Sequence, residues 1–351
     1  MGRHEEALKI LHGGTVIPAI PLVLDENRKF NEAGQRTLIR YYLDAGVGGL
    51  AVAVHTTQFE IRKPEVGLFE PVLRVTKEEM DAYEARTGKT LVRVAGACGE
   101  AEQACAEART AKALGFDAVL LSPGGLAHRT EEELVERTHA VAAEMPVIGF
   151  YLQTACGGLS YEYWKAVADT PGVVAIKCAS FNRYQSIDLV RGVAYSARRE
   201  EIALYTGNDD NIVADLLTPY RFPVDGKEVE LRFVGGLLGH WSVWTHSVVK
   251  LYEELREYRD GRDIPAELLA RGAAVTDCNG VFFDVAHNFA GCIPGVHEVL
   301  RRQGLMAGTW CLDPDETLSE GQEQEIDRVY EMYPHLNDDA FVAQNLETWK
   351  A

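Results

Sequence analysis

The chain has 351 residues, of which 46% are hydrophobic and 25% charged, a composition typical of a globular protein with a large core. Its formal net charge of -18 disfavours nucleic acid and anionic membrane surfaces as partners. The first residues lack the apolar segment of a signal peptide, and no run of about 18 apolar residues predicts a transmembrane helix. Seven cysteines without a CxxC pair favour neither a disulfide framework nor a structural zinc site, so we expect a cytoplasmic protein.

Short apolar runs alternate with amphipathic segments along the chain. Near-continuous apolar runs are typical of strands that are buried on both faces of a parallel sheet. In chain order, the predicted strands are residues 15–24, 49–54, 91–97, 118–121, 147–151, 173–176, 202–205 and 233–244. Predicted helices between them include residues 31–45, 76–86, 101–114, 130–143 and 161–168, with a capping box at Thr130. Eight strand candidates with helices between them favour a (β/α)8 TIM barrel.

The predicted barrel spans residues 13–245, after an N-terminal segment of residues 1–12 and before a C-terminal helical region of residues 246–351. An insertion with two prolines and an Asp-Gly turn, residues 218–232, precedes the eighth strand. Neither G-x-G-x-x-G nor G-x-x-x-x-G-K-[ST] follows any predicted strand, which weakens dinucleotide-binding and P-loop functions.

Lys177 differs in its surroundings from the other ten lysines, which lie in helical or polar segments. It ends the apolar run 172–176, and so lies at the carboxyl end of the sixth strand, where barrel enzymes build their active sites. A neutral amine there can attack a carbonyl, and the resulting iminium is an electron sink. The alternative is a structural lysine paired with a carboxylate.

Two further segments favour the catalytic interpretation. Tyr151 ends the fifth strand, so we expect its phenol at the same end of the sheet as Lys177, where it could shuttle protons. His55, Thr56 and Thr57 follow the second strand, and hydroxyls with successive backbone N–H groups suit a carboxylate. Either segment alone is more often structural.

In this order, the residues resemble the dihydrodipicolinate synthase/N-acetylneuraminate lyase family of class I aldolases: a Thr-Thr turn after strand two, a strand-five Tyr and a strand-six I-K-x-A. The similarity runs over residues 13–210 and more loosely to residue 242. The resemblance implies a barrel with a C-terminal helical domain that assembles as a dimer or tetramer. It implies that Lys177 forms the imine and Tyr151 shuttles protons. Thr56 and Thr57 would hold the carboxylate of a 2-oxo acid, with Thr57 in the Tyr151 relay.

The sequence departs from this family at substrate-reading positions. The family turn G-T-T-G-E is replaced by H-T-T-Q-F-E at residues 55–60, and the arginine that grips a second carboxylate by Cys156. The tyrosine pair after strand four is replaced by Ser-Pro-Gly-Gly at residues 122–125. We therefore expect a substrate other than that of the lysine-biosynthetic synthases.

Other candidate residues lie at or beyond predicted strand ends. Gly207 and Asn208 follow the seventh strand and Gly236 lies in the eighth, and we predict that they contact the substrate. His55, His128 and His240 either line the pocket or are structural, and of the three we expect His55 to contact the substrate. Three histidines could also bind a divalent metal, but their neighbours supply no clear acidic ligand set.

The sequence thus predicts a Schiff-base lyase for a small 2-oxo acid or related carbonyl compound. It leaves cleavage, condensation and dehydration open, because one iminium supports all three. No cofactor is expected, since the lysine supplies the electron sink. The alternatives are a metal-dependent barrel aldolase or hydrolase, and a catalytically silent barrel that binds a metabolite or a partner.

Overall fold

The computed structural model of the chain describes residues 2–259, 261 and 263–351. Its strands are β1 (Val16–Pro18), β2 (Gly49–Val52), β3 (Val92–Ala97), β4 (Ala118–Leu121), β5 (Val147–Leu152), β6 (Val173–Ala179), β7 (Ala203–Thr206), β8 (Tyr220–Val224), β9 (Lys227–Leu231) and β10 (Phe233–Leu238). Its α-helices are α1 (Arg3–Gly13), α2 (Glu32–Asp44), α3 (Phe69–Thr87), α4 (Ala101–Ala113), α5 (Glu131–Ala142), α6 (Gln153–Cys156), α7 (Tyr161–Asp169), α8 (Arg183–Tyr195), α9 (Ile212–Leu217), α10 (Thr245–Glu257), α11 (Ala266–Phe282), α12 (Cys292–Arg302), α13 (Gln322–Met332) and α14 (Asp339–Lys350).

Eight of these strands form one sheet in the order β1-β10-β7-β6-β5-β4-β3-β2. A parallel bridge between Ala19 and Ala51 links the segments of β1 and β2, which stand at the two ends of this order. Helices separate the strands, and α10–α14 follow the last one. The predicted (β/α)8 TIM barrel with C-terminal helices is therefore confirmed.

The predicted insertion is a β-hairpin. Strands β8 and β9 pair antiparallel around Asp225 and Gly226, whose φ angles are 49° and 77°. Positive φ at both central residues is characteristic of the tight turn that an Asp-Gly pair favours. The eighth barrel strand is shorter than predicted, since β10 ends at Leu238 and a 3₁₀ turn, His240–Ser242, follows it.

The chain divides into two compact units. The first unit comprises Met1–Thr15, Thr90–Asn208 and Ala214–Leu237, and the second comprises Val16–Lys89, Asp209–Val213 and Leu238–Ala351. Strands β3 to β7 lie in the first unit, and helices α10 to α14 lie in the second. The boundary at residue 245, between a barrel and a C-terminal region, stays a prediction.

A β-bulge in the first unit sets which side chains share a face. Val147 on β5 pairs with Val173 on β6, but the next residue, Ile148, pairs with Ala175, so Val174 is an extra residue on β6. Beyond the bulge, the register partners are therefore shifted by one residue over the rest of both strands.

The helix-facing side of β5 and β6 is identified by Gly149, where an added Cβ would lie 3.3 Å from Cγ1 of Val167 on α7. Because side chains alternate along a strand, Phe150 faces away from the helices and Tyr151 faces towards them.

Local sequence preferences account for several element ends. The Thr130 hydroxyl accepts a hydrogen bond from the Glu133 amide at 3.2 Å, and the Glu133 carboxylate accepts one from the Thr130 amide at 2.9 Å, as the capping box predicts.

Among the helices that the structure describes, none is long and apolar enough to span a membrane.

Candidate active site

Lys177 lies on the face of β6 that points away from the helices. The residue is 8% exposed, and its Nζ lies 4.4 Å from the centroid of the Phe150 ring. Phe150 on β5 and Tyr205 on β7 are its register partners. The structure thus places a buried amine near the carboxyl end of a barrel strand, with an aromatic ring beside the nitrogen.

Gly207 lies directly beside this lysine. A Cβ added to Gly207 would be 2.4 Å from Cε of Lys177 and 3.1 Å from Cβ of Ala179. The Gly207 amide donates a hydrogen bond to the Cys178 carbonyl at 2.6 Å, which fixes the glycine against β6. The structure therefore brings two predicted site residues together, and the missing side chain leaves room for the lysine stem.

Tyr151 lies on the opposite face of the sheet. Its register partner is Cys178, and its ring centroid is 5.2 Å from that of Trp164 on α7. The hydroxyl contacts the Gly157 carbonyl at 3.1 Å and also hydrogen-bonds to Gln185 on α8. Burial, the largest cause, raises the pKa of the phenol well above its usual value.

The expectation that Tyr151 and Lys177 present their functional groups together is therefore wrong. If β5 and β6 paired residue by residue from Val147 and Val173 onward, Tyr151 would be the register partner of Lys177. The extra residue Val174 shifts that count by one, so Phe150 takes this position instead. Sequence reasoning missed Phe150, because a one-residue bulge leaves no readable pattern in a continuous apolar run.

Asn208 has a structural environment. It is fully buried, its Oδ1 accepts a hydrogen bond from the Phe181 amide at 3.1 Å, and its Nδ2 donates to Asp215 at 2.8 Å. Asp215 also accepts a hydrogen bond from Thr206 at 2.6 Å and forms an ion pair with Arg183. These contacts occupy the Asn208 amide, so the predicted substrate contact is not supported.

The Thr-Thr turn lies in the second unit as a 3₁₀ turn, His55–Thr57. The hydroxyl of Thr56 donates to the Ala19 carbonyl at 2.7 Å, and that of Thr57 donates to the Ile20 carbonyl at 2.8 Å. Both threonine side chains are buried, whereas His55 is exposed. The hydroxyls thus fix the turn to the segment that follows β1.

Gln58 stands where the family turn carries its second glycine. Its φ of 67° keeps the left-handed backbone that glycine would adopt readily. The Gln58 side-chain oxygen accepts a hydrogen bond from the Leu312 amide at 2.6 Å. A segment between α12 and α13 is therefore tied to the turn, a contact that the sequence did not predict.

Gly236, the remaining predicted site residue, contributes backbone contacts. Its amide donates to the Thr15 carbonyl at 3.2 Å, and it pairs with Thr206 on β7. The neighbouring Gly235 allows close packing, since a Cβ there would lie 2.4 Å from the Thr15 carbonyl oxygen. The predicted contact of Gly236 with the substrate stays a prediction.

The three candidate histidines have different surroundings. His55 is exposed, and His128 is a surface residue 3.6 Å from Glu100. His240 is 3% exposed, and burial lowers its pKa to about 4. It forms part of the wall of a cleft of about 390 Å³ that α10 and α11 also line.

Within residues 2–259, 261 and 263–351, no group of three or more metal-ligating side chains is assembled, so the metal-dependent alternative lacks a ligand set there.

Cys156 is the residue that the resemblance aligns with an arginine that grips a second carboxylate. Its Sγ donates to the Leu152 carbonyl at 3.2 Å, and burial raises its pKa to about 11. The thiol is thus neutral at physiological pH and supplies no cation for a second carboxylate.

Solved structures with the same fold include dihydrodipicolinate synthases and an N-acetylneuraminate lyase. The synthase from Oceanobacillus iheyensis has a TM-score of 0.72 and 17% identity, covering 95% of this chain and 100% of that one. The chloride-inhibited synthase from Acinetobacter baumannii, complexed with pyruvate, has a TM-score of 0.72 and 17% identity, covering 91% and 98%. The lyase from Fusobacterium nucleatum has a TM-score of 0.70 and 15% identity, covering 92% and 99%. At these identities the likeness shows the fold.

Sequence comparison is more specific. An uncharacterized DapA-like lyase from Rhizobium meliloti is 26% identical over 195 residues, which are 55% of this chain and 60% of that protein. The profile of the Dihydrodipicolinate synthetase family matches residues 13–219, more than half of the chain and the part that carries the buried lysine. The chain belongs to the dihydrodipicolinate synthetase family.

Proposed function

We propose that the protein is a Schiff-base-forming lyase for a 2-oxo acid or related carbonyl compound, with Lys177 as its nucleophile. The observation that carries this proposal is the burial of the Lys177 amine near the carboxyl end of β6, between Phe150 and the open side of Gly207. Family membership and the lyases among its relatives support it.

The proposed reaction begins when the neutral Nζ of Lys177 adds to the carbonyl carbon. A C–N bond forms, the carbonyl π pair moves to oxygen, and proton transfer gives a neutral carbinolamine. The protonated hydroxyl then leaves as water, and the nitrogen carries the positive charge of the iminium. This cation accepts the electron pair released by cleavage or deprotonation at the neighbouring carbon.

A 2-oxo acid is the substrate class that the relatives favour, since the Acinetobacter baumannii synthase was solved with pyruvate. We propose that the turn His55–Thr57 binds the acid group. The hydroxyls of Thr56 and Thr57 donate to Ala19 and Ile20, and the Thr57 amide donates to the Val54 carbonyl. We therefore assign the hydroxyls to fixing the turn, and propose that its backbone contacts the acid group. We propose that Gly207 leaves the room that the stem of Lys177 occupies, and that Gly236 contributes backbone groups to the site.

Proton transfer is assigned to solvent or to the substrate rather than to Tyr151. The phenol contacts Gly157 and Gln185 on the helix-facing side, so we give Tyr151 the role of positioning the chain that follows β5. Thr57, whose relay partner would be this phenol, is given a role in fixing the turn.

We further propose that the substrate has no second carboxylate at its far end, and hence that the protein is not a lysine-biosynthetic synthase. The neutral, hydrogen-bonded thiol of Cys156 supports this proposal. We also propose that the protein forms a homo-oligomer and is located in the cytoplasm.

Borohydride trapping tests the proposed chemistry. The protein is incubated with a panel of 2-oxo acids, reduced, and examined by intact mass and peptide mapping. We expect an adduct on Lys177 that Lys177→Ala abolishes. Lys165→Ala is the matched control, because Lys165 is a surface residue on α7 paired with Asp169 at 2.6 Å, and it should leave the adduct unchanged. Specific binding of a 2-oxo acid without any adduct would overturn the lyase and favour the silent barrel.

A further inference from the structure

Phe150 presents its ring to the nitrogen of Lys177. The two residues are register partners on adjacent strands, and Nζ lies 4.4 Å from the ring centroid. This distance is within the range, up to about 6 Å, in which a cation is attracted to an aromatic face. Lys177 is 8% exposed, so water competes weakly for any charge on the nitrogen.

The position of the nitrogen is set by its other neighbours as well. The stem of Lys177 passes over Gly207, and a Cβ added to that glycine would lie 2.4 Å from Cε of the lysine. The bulge at Val174 fixes the register that places Phe150 rather than Tyr151 opposite the lysine. The contact therefore follows from the strand geometry and does not depend on a surface rotamer alone.

We propose that Phe150 is a catalytic residue that stabilises the iminium through a cation–π interaction. This inference rests on the proposed function. The carbinolamine is neutral and the iminium is positive at the nitrogen, so the quadrupole of the ring favours the second species over the first. The ring transfers no proton and forms no bond. It acts in the dehydration of the carbinolamine, when the C–O bond breaks and the charge appears on Nζ.

The structure supplies an internal comparison for this proposal. Tyr151, the next residue, presents a ring of similar size to the opposite face, where it packs on Trp164. A general effect of aromatic bulk on β5 would therefore appear at both positions. An effect of ring electronics on the lysine nitrogen would appear at Phe150 only.

Fluorinated phenylalanines at position 150 test the proposal, since successive fluorines weaken the ring quadrupole with little change of shape. The trapped fraction of Lys177 is measured at sub-saturating pyruvate after borohydride reduction. We expect the iminium formation constant to fall stepwise from unsubstituted to trifluorinated phenylalanine, by about two- to thirtyfold overall. Phe150→Leu should lie at the low end of the series. The same fluorinated residues at position 151 should leave the constant unchanged within about twofold.

The outcomes separate the two proposals. If the unsubstituted enzyme gives no adduct on Lys177 with any 2-oxo acid, the proposed function and this inference both fail. If it gives the adduct but the constant does not respond to fluorination at position 150, only the role of Phe150 is overturned. An equal response at positions 150 and 151 also overturns it, because a packing effect would then explain both series.

Discussion

The Cε atom of Lys177 occupies the space into which a side chain on Gly207 would extend. An ideal Cβ at position 207 would be only 2.4 Å from that atom. The position of the lysine stem therefore depends on the glycine, and replacement of the glycine tests the site without removing the proposed nucleophile.

Gly207→Ala should displace the lysine stem. The atom that has to move belongs to a flexible side chain, so we expect a loss of about 1–2 kcal/mol in stability. A displaced amine should form the Schiff base about a hundredfold more slowly. Borohydride-trapping rates and urea denaturation measure the two effects. Gly280→Ala is the control, because nothing lies within 4 Å of its Cβ position and the helix should gain stability. Unchanged trapping in Gly207→Ala would place the amine elsewhere.

Tyr151→Phe should affect stability more than chemistry. The variant keeps the ring against Trp164 and loses the hydroxyl contacts with Gly157 and Gln185. We expect a loss of about 1 kcal/mol in the free energy of unfolding and a trapping rate within about threefold of the parent. A drop of a hundredfold or more in a folded variant would restore the phenol to catalysis and contradict the observed strand faces.

Asp215→Ala should destabilise the first unit strongly. The carboxylate is fully buried and bonds to Thr206, Asn208 and Arg183, all of which would lose their acceptor. We expect a loss of about 3–5 kcal/mol in urea denaturation. Glu228→Ala in the exposed hairpin should change stability by less than about 0.5 kcal/mol, and similar losses in both variants would argue against the network.

Substitutions of Gln58 should separate backbone strain from the side-chain contact. Gln58→Ala loses the hydrogen bond from Leu312 and keeps a left-handed φ of 67°, whereas Gln58→Gly loses the same bond and relieves the strain. Gly should therefore be more stable than Ala by about 1 kcal/mol in thermal denaturation. If Ala equals or exceeds Gly, position 58 does not adopt the left-handed conformation.

Glu316 should make stability fall as pH rises towards neutrality. Burial, with the nearby charges of Glu60 and Asp313, raises its carboxyl pKa from 4.5 to about 7. The folded protein then binds more protons than the unfolded chain between those values, so the free energy of unfolding decreases as pH rises through this window. Glu316→Gln should remove that decrease. We expect a gain of about 1 kcal/mol at pH 8 after allowance for solvent screening, and little change at pH 4. Parallel urea titrations at the two pH values measure it. An equal effect at both would exclude titration of Glu316 as the cause.

The fold could be predicted because its determinants repeat along the chain. Apolar runs recur with helices between them, and local devices such as the Thr130 capping box mark element starts without reference to distant residues. Lys177 was distinctive for the same reason, since a charged residue at the end of an apolar strand is visible in one dimension. These features need only neighbouring residues for their interpretation.

The details of the site depend on pairings between strands, which no local pattern records. Val174 looks like any other valine in an apolar run, yet it shifts the register of everything after it. In the sequence, Asn208 is a polar residue at a strand end. Its side-chain amide donates a hydrogen bond to the buried Asp215, which only the structure shows. The bond between Gln58 and Leu312 joins residues far apart in the chain.

The bulge at Val174 has an evolutionary consequence. Two homologues with the same Phe-Tyr pair on one strand and the same lysine on the next would align without a mismatch at these positions. A deletion of one residue upstream of the lysine in one of them would make the tyrosine its register partner, and the amine would then face the helices as Tyr151 does. Gain or loss of a single residue before the lysine would thus move the amine out of the proposed site while every motif residue stays the same.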